Sequence, residues 1–248
     1  MSIIIGALDR HRLLNVITGG VPALDWPSWR PHSKLIHFKA SFHAASIDEY
    51  PEQLIFPTSA IFSLSSTSST GGLAEASSIG KEGYVGVWLL SSPPSFPLAF
   101  ILQRPGFGIL VDAAFIRRQL IASSDTRQML LKHAAASVRY AHQTCLCYRY
   151  HTLEQQVTKI ILMTLLRTGQ LDIEFTHQEI ATILGVRREG ISTALEHLQR
   201  LGLIDKRRGL IRVLQKNALE AQACECYALL RNDLGYNQLT YRTQGRSL

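Results

Sequence analysis

Seven cations and a row of short hydrogen-bonding side chains are crowded into residues 187–212. Arg187, Arg188, Arg200, Lys206, Arg207, Arg208 and Arg212 are set against Glu189, Glu196 and Asp205 there, leaving a net +4 in 26 residues. Basic groups at that density neutralise a polyanion, and polar side chains interleaved with them can discriminate its donors and acceptors. Arg188, Glu189, Ser192 and Thr193 are such hydrogen-bonding types. A guanidinium can fork onto two acceptors at once, and a carboxylate accepts from N–H donors. Enzyme chemistry finds no footing in the sequence. It shows no nucleophile elbow, phosphate-cradling glycine loop, metal-ligand motif or convincing carboxylate pair, so no catalytic residue, metal site or cofactor is expected.

The elements that would hold these groups can be read from spacing. Thr176 and Glu179 stand in the capping-box relation, which opens a helix near Thr176. Ile180, Ile183 and Leu184 share one face of it, Ala181 allows a close crossing, and Gly185 provides a sharp turn that Val186 is expected to plug from inside. Ile191, Leu195, Leu198 and Leu201 then repeat at helical steps, placing Arg188, Glu189, Ser192, Thr193 and Glu196 on the outward face. Gly202 suits the left-handed residue that ends a helix. Leu203–Asp205 and Leu210–Val213 read as strands around Arg207-Arg208-Gly209, a wing with cations at its tip.

This helix, turn, helix and basic hairpin resembles the C-terminal domain of the Crp/Fnr family of bacterial transcription regulators. The resemblance covers about 60 residues and implies a winged helix-turn-helix whose second helix, Arg187 to Leu201, reads the major groove. It assigns base contacts to Arg188, Glu189, Ser192 and Thr193. Phosphate contacts fall to Thr176, Arg187, Arg200, Lys206, Arg207 and Arg208. Arg187 replaces the Ser or Thr cap usual in the family, and Thr193 stands where many relatives carry a second Arg. The implied partners are a palindromic operator in double-stranded DNA, a second copy of the chain and RNA polymerase. The alternatives are a haem, metal or other small-ligand sensor acting through the same DNA-binding output, and a winged module used only for protein docking.

With 248 residues, 46% of them hydrophobic and 18% charged, the chain can build two cored domains, and its +7 charge suits an anionic partner. No apolar run reaches the length of a membrane span and the opening MSIIIGALDR is too short for a signal sequence, so a cytoplasmic protein is expected. Four cysteines form two pairs, Cys145/Cys147 and Cys224/Cys226, in segments read as helical. Residues two apart on a helix point about 200° from each other, so neither pair is expected to chelate an ion alone.

Between Leu35 and Val111, runs such as Gln53–Phe56, Ile61–Leu64, Leu73–Ile79, Ala99–Gln103 and Phe107–Val111 alternate with Gly, Pro and Ser. They predict a jelly-roll barrel, with Ser65–Gly72 as a loop. Here the resemblance implies a cyclic-nucleotide-binding-like sensory domain. Aligning on Gly83 and Gly86 puts Tyr84 where such relatives carry the ribose-binding Glu, and Ser91–Pro97 contains no Arg for the phosphate. Control by cyclic AMP or cyclic GMP is therefore not expected. His32, His37 and His43 are spaced for neither one helix face nor one strand face, which argues against haem or metal ligation by them.

Asp125–Cys147 lacks Gly and Pro, and Leu131, Ala134, Val138, Ala141 and Cys145 recur at three- and four-residue steps. That seam suits pairing with an identical helix across a two-fold axis. Thr152 with Gln155 opens the next helix, and Asn217 with Glu220 a last one running to Leu234. The expected α+β layout is a barrel over 1–124, a dimerisation helix over 125–149, a winged helix-turn-helix over 150–234, and a mobile tail over 235–248.

Overall fold

The computed structural model describes residues 6–39, 44–46, 52–69, 71–91 and 98–235. His43, most of Ser91–Pro97 and nearly all of the C-terminal tail lie outside them. The chain divides into two compact units, residues 1–67 with 77–138 and residues 68–76 with 139–248.

The N-terminal unit begins with α1 (Ala7–Arg12), α2 (Val16–Gly20) and α3 (Trp26–Trp29). Strands β1 (Ser33–Phe38), β2 (Ala44–Ser46), β3 (Gln53–Pro57), β4 (Ile61–Thr67), β5 (Leu73–Ile79, whose residues 73–76 are counted with the second unit), β6 (Leu98–Arg104) and β7 (Gly106–Asp112) follow, and then α4 (Ala113–Ala122). The strands form two sheets, ordered β1-β7-β3 and β2-β6-β4-β5, with the β1–β7, β3–β7, β2–β6 and β4–β6 ladders antiparallel. This is the jelly-roll arrangement the strand spacing predicts. Side-chain alternation builds two cores from one sheet. Ile55 and Leu110 face Phe62, Phe100 and Leu102 of the other sheet, while Leu54, Phe56, Ile109 and Val111 face Trp26, Trp29, Phe115 and Ile116 on the helices. The serine-rich stretch is less of a loop than expected. β4 runs to Thr67, Ser63 and Ser65 are buried with their hydroxyls 3.3 Å apart, and the turn is closed by the Ser68 amide on the Gly72 carbonyl at 2.7 Å. Paired hydroxyls make serine tolerable inside a barrel.

Helix α5 (Ser124–Tyr150) is one uninterrupted helix. The C-terminal unit continues with α6 (Leu153–Thr168), β8 (Asp172–Ile173), α7 (His177–Leu184), α8 (Arg188–Arg200), β9 (Ile204–Arg207), β10 (Leu210–Val213), α9 (Lys216–Gln222) and α10 (Glu225–Asp233). Capping boxes open α6 at Thr152/Gln155 and α7 at Thr176/Glu179, as the spacing predicts. The last helix departs from expectation: α9 starts after Gln215 without a side-chain cap, and the chain breaks at Ala223 and Cys224 before α10. Both of those residues are extended, at ψ 151° and 163°. The wing is a three-stranded antiparallel sheet in the order β8-β10-β9, its outer strand β8 being too short to leave a periodic signal.

Candidate nucleic-acid interface

Helix α6 is the platform, with Val157, Ile160, Ile161, Leu162 and Leu165 buried among α8, α9 and α10. Helix α7 crosses α8 through Ile180, Ala181, Ile183 and Leu184, and Gly185 turns the chain at φ +65°, where a side chain would be strained. On α8, Ile191, Leu195 and Leu198 are fully buried. Two expectations fail here. Val186 is exposed, because its amide caps α7 on the Ala181 carbonyl and its side chain points away from the crossing. Leu201 is exposed as well, since the helix ends at Arg200 and the chain turns through Gly202 at φ +69°. Gly190 leaves no sign in the periodicity but fixes how close α8 lies to α6: a Cβ there would come within 2.7 Å of Leu153 Cδ2.

The outward face carries the groups that the chemistry calls for. Arg187 is the N-cap of α8 in extended conformation with no side-chain cap, and Arg188, Glu189 and Thr193 are exposed on the first two turns. Ser192 is half-buried and held more tightly. Its hydroxyl lies 2.8 Å from His177 Nδ1 and donates to the Arg188 carbonyl at 3.2 Å. His177 is a site residue that sequence reasoning missed, and its place at the first position of α7 beneath Ser192 emerges only once the two helices cross. Burial, with Lys206 and Arg188 nearby, lowers its pKa. The Thr193 hydroxyl bonds back to the Glu189 carbonyl at 3.2 Å.

The cations fall into two groups. Among the described residues no carboxylate pairs with Arg187, Arg188, Arg200 or Arg208. Lys206 meets Glu196 at 3.2 Å and Arg207 meets Asp205 at 3.2 Å, exposed pairs that exchange readily for another anion. Arg212 forks onto Asp172 at 2.6 and 2.7 Å, an arrangement that raises the pKa of the guanidinium and lowers that of the carboxyl. Thr176, at the N-cap of α7, accepts from the Glu179 amide at 3.1 Å.

In the N-terminal unit Tyr84 is buried in apolar packing. Its hydroxyl donates to the Leu130 carbonyl at 3.3 Å, and its amide lies 3.2 Å from His133 Nε2. The cavity between Ile55, Val85, Trp88, Leu89 and Phe100 holds about 10 Å³, the space of one water at most. His32 stacks on Phe115 and meets Asp112 at 3.2 Å, while His37 stacks on Phe107. Cys145 is exposed on α5. Cys147, His151, Cys224 and Cys226 come together elsewhere on the C-terminal unit, a convergence the sequence reading did not foresee.

Comparison with known proteins agrees with this architecture. Residues 155–222 match the family model of the Crp-like helix-turn-helix domain. A putative Crp/Fnr-family transcriptional regulator from Eubacterium rectale superposes with a TM-score of 0.65 at 16% identity, covering 84% of this chain and 98% of that one. FixK2 from Bradyrhizobium japonicum gives 0.63 at 17% identity, covering 77% and 98%. A CRP-family transcriptional regulator from Thermus thermophilus gives 0.60 at 18% identity, covering 77% and 96%. No curated protein matches the chain. Residues 155–222 are thus a Crp-like helix-turn-helix domain, borne on a chain with the fold of the Crp/Fnr transcriptional regulators.

Proposed function

We propose that this protein is a dimeric, sequence-specific DNA-binding transcription regulator of the cytoplasm that works without cyclic-nucleotide control. The observation that carries the reading is the start of α8, where Arg188, Glu189 and Thr193 are exposed on a rigid helix of a Crp-like domain and flanked by cations with no carboxylate partner. Arg188 and Glu189 read base edges, with Ser192 and Thr193 beside them. Arg187, Arg200, Lys206, Arg207, Arg208 and Thr176 hold phosphates. The domain limits follow the same logic, with a barrel to residue 124, a pairing helix over 125–149 and the reading domain from 150 to 234.

Pairing is supported by α5. Leu131 is 59% exposed and Val138 55%, while Ala134 and Ala141 are half-buried between them and Cys145 is exposed. Large apolar side chains on one stripe of a long helix call for a partner, and the small residues let a second α5 approach. A two-fold pair sets two α8 helices about 34 Å apart and so reads a palindrome. The closed packing around Tyr84 supports independence from cyclic nucleotides. Among the described residues no helix is long and apolar enough to cross a membrane.

The test is a gel shift against genomic fragments over a range of salt, paired with sedimentation of wild type and Val138→Asp. A sequence-selective shift that weakens steeply with salt, and a dimer lost in the variant, are expected. Absence of any selective shift overturns the DNA reading, a monomeric wild type overturns the pairing, and tight binding of cyclic AMP overturns the account of the barrel.

A further inference from the structure

The C-terminal unit contains a cluster that DNA reading does not use. Cys147 in the last turn of α5, His151 just beyond it, and Cys224 and Cys226 at the start of α10 bring four potential ligand atoms within 4.8 Å of one another. The three cysteines are buried. The Cys147 and Cys224 sulfurs are 3.8 Å apart, and Cys226 Sγ is 3.4 Å from His151 Nδ1.

We propose that Cys147, His151, Cys224 and Cys226 bind a single zinc-class divalent cation in a closed tetrahedral site. Bonds of about 2.3 Å to sulfur and about 2.0 Å to nitrogen set tetrahedral edges of about 3.8 Å between sulfurs and about 3.5 Å between sulfur and nitrogen. The two contacts above already match those edges, and the longest separation has to shorten by about 1 Å. A multinuclear iron–sulfur cluster would hold its terminal ligands farther apart.

Three features distinguish this site from cysteines that merely fill a core. First, His151 is oriented as metal-binding histidines are: Nδ1 faces the sulfurs while Nε2 meets Glu225 Oε1 at 3.2 Å, which fixes the tautomer with its lone pair inward. Second, the Gln143 amide donates to Cys226 Sγ at 3.0 Å, an outer N–H···S bond of the kind that orients a metal-bound sulfur. Third, Lys159 is buried in the same unit with its ammonium 5.2 Å over the ring of Tyr148, next to Cys147 in the chain, and a three-thiolate zinc centre carries one negative charge for that ammonium to balance. The local backbone makes the convergence possible. Cys147 and His151 are one helical turn apart and share a face, and extended Cys224 as the N-cap of α10 lets its side chain turn toward that of Cys226. The ion would clip α10 to the end of α5.

The experiment uses the full chain, purified under reducing conditions, stripped with chelator and titrated with Co²⁺ and Zn²⁺. One Co²⁺ per chain with tetrahedral ligand-field and thiolate charge-transfer bands, displaced by one Zn²⁺, is the expected result, together with a higher melting temperature in the loaded protein. Cys145→Ser keeps the spectrum, Cys147→Ala and Cys226→Ser lose it, and His151→Cys keeps it with a shifted charge-transfer band. Glu225→Gln weakens Co²⁺ about 10- to 100-fold while leaving the exposed surface and the three thiols in place. Titratable thiols in a stripped wild type that takes up no stoichiometric Co²⁺ or Zn²⁺ overturn the proposal. So does a Cys147–Cys224 disulfide that survives reductant, or a cobalt spectrum indifferent to Cys147→Ala and Cys226→Ser in folded protein.

Discussion

In the N-terminal unit Glu82 and His133 are buried beside the turn at Gly83, whereas in the C-terminal unit Arg187, Arg188, Arg200 and Arg208 stand in solvent with no carboxylate partner among the described residues. The first region spends its polar groups on itself. Glu82 accepts from the Gly80 amide at 2.9 Å, His133 meets the Tyr84 amide, and Ser137 lies 3.2 Å from the same imidazole nitrogen. The second leaves donors outward on helix and strand termini that packing holds still. Disturbing the first should therefore change stability, while disturbing the second should change binding and its response to salt.

The sharpest way to break that contrast is Gly83→Ala. A Cβ at Gly83 would fall 1.8 Å from His133 Cε1 and 2.4 Å from Nε2, so the buried ring must leave its place and its contact with Tyr84. A loss of about 3 kcal/mol or more from the N-terminal unit is expected by chemical denaturation, from overpacking plus an orphaned amide. Adding His133→Ala, which removes the ring, should recover part of it. If Gly83→Ala alone is as stable as wild type, the turn is not packed against α5.

The same imidazole makes the N-terminal unit sensitive to acid. Burial lowers the His133 pKa from 6.5 to about 4, against the opposing pull of Glu82. Between those values the unfolded chain takes up a proton that the folded chain refuses, so stability falls as pH drops from 6.5 toward 4 and levels off below. The full effect is on the order of 3 kcal/mol. Melting wild type and His133→Gln across that range should show the steeper slope in wild type, and parallel slopes would mean that His133 is solvated.

Much of the reading half was legible because its signals are local. Thr176/Glu179, Gly185 and the Ile191–Leu195–Leu198 stripe each act within a turn or two of chain, and each is found where the spacing places it. What escaped depends on residues that meet only after folding. His177 reaches Ser192 across the helix crossing, and Gly190 matters because Leu153 lies against it. The cysteines show the same limit. Geometry within Cys145/Cys147 was sound, since one is exposed and the other buried, but Cys224/Cys226 was assumed helical and Cys224 is not. The usable signal in the sequence is the i, i+4 relation of Cys147 and His151, which puts a thiol and an imidazole on one helical face. Short α1 to α3 leave too few turns to show a period; α2 is anchored by burying Ile17, and α3 by burying Trp26 and Trp29.

On the binding side the largest change is expected from Arg188→Ala. Its loss should weaken the preferred operator by about 1–3 kcal/mol and relax preference at one position of each half-site, read by competition among single-base variants. A uniform loss across all sequences would move Arg188 from base reading to phosphate holding.

The smallest effect separates cations that are available from cations already engaged. Arg208 at the wing tip and Arg212 on β10 carry the same charge in the same small sheet, yet Arg212 is forked onto Asp172 at 2.6 and 2.7 Å and Arg208 pairs with no carboxylate among the described residues. For a phosphate to recruit Arg212 it must first displace a bidentate carboxylate, and the released Asp172 would then repel the same phosphate. Arg208→Ala should therefore lower affinity evenly across sequences and make the salt slope shallower by about 1 per half-site, while Arg212→Ala should leave that slope unchanged. A shallower slope in Arg212→Ala would show that DNA breaks the Asp172 pair. The count of basic residues in the wing would then predict binding better than their pairing in the free protein does.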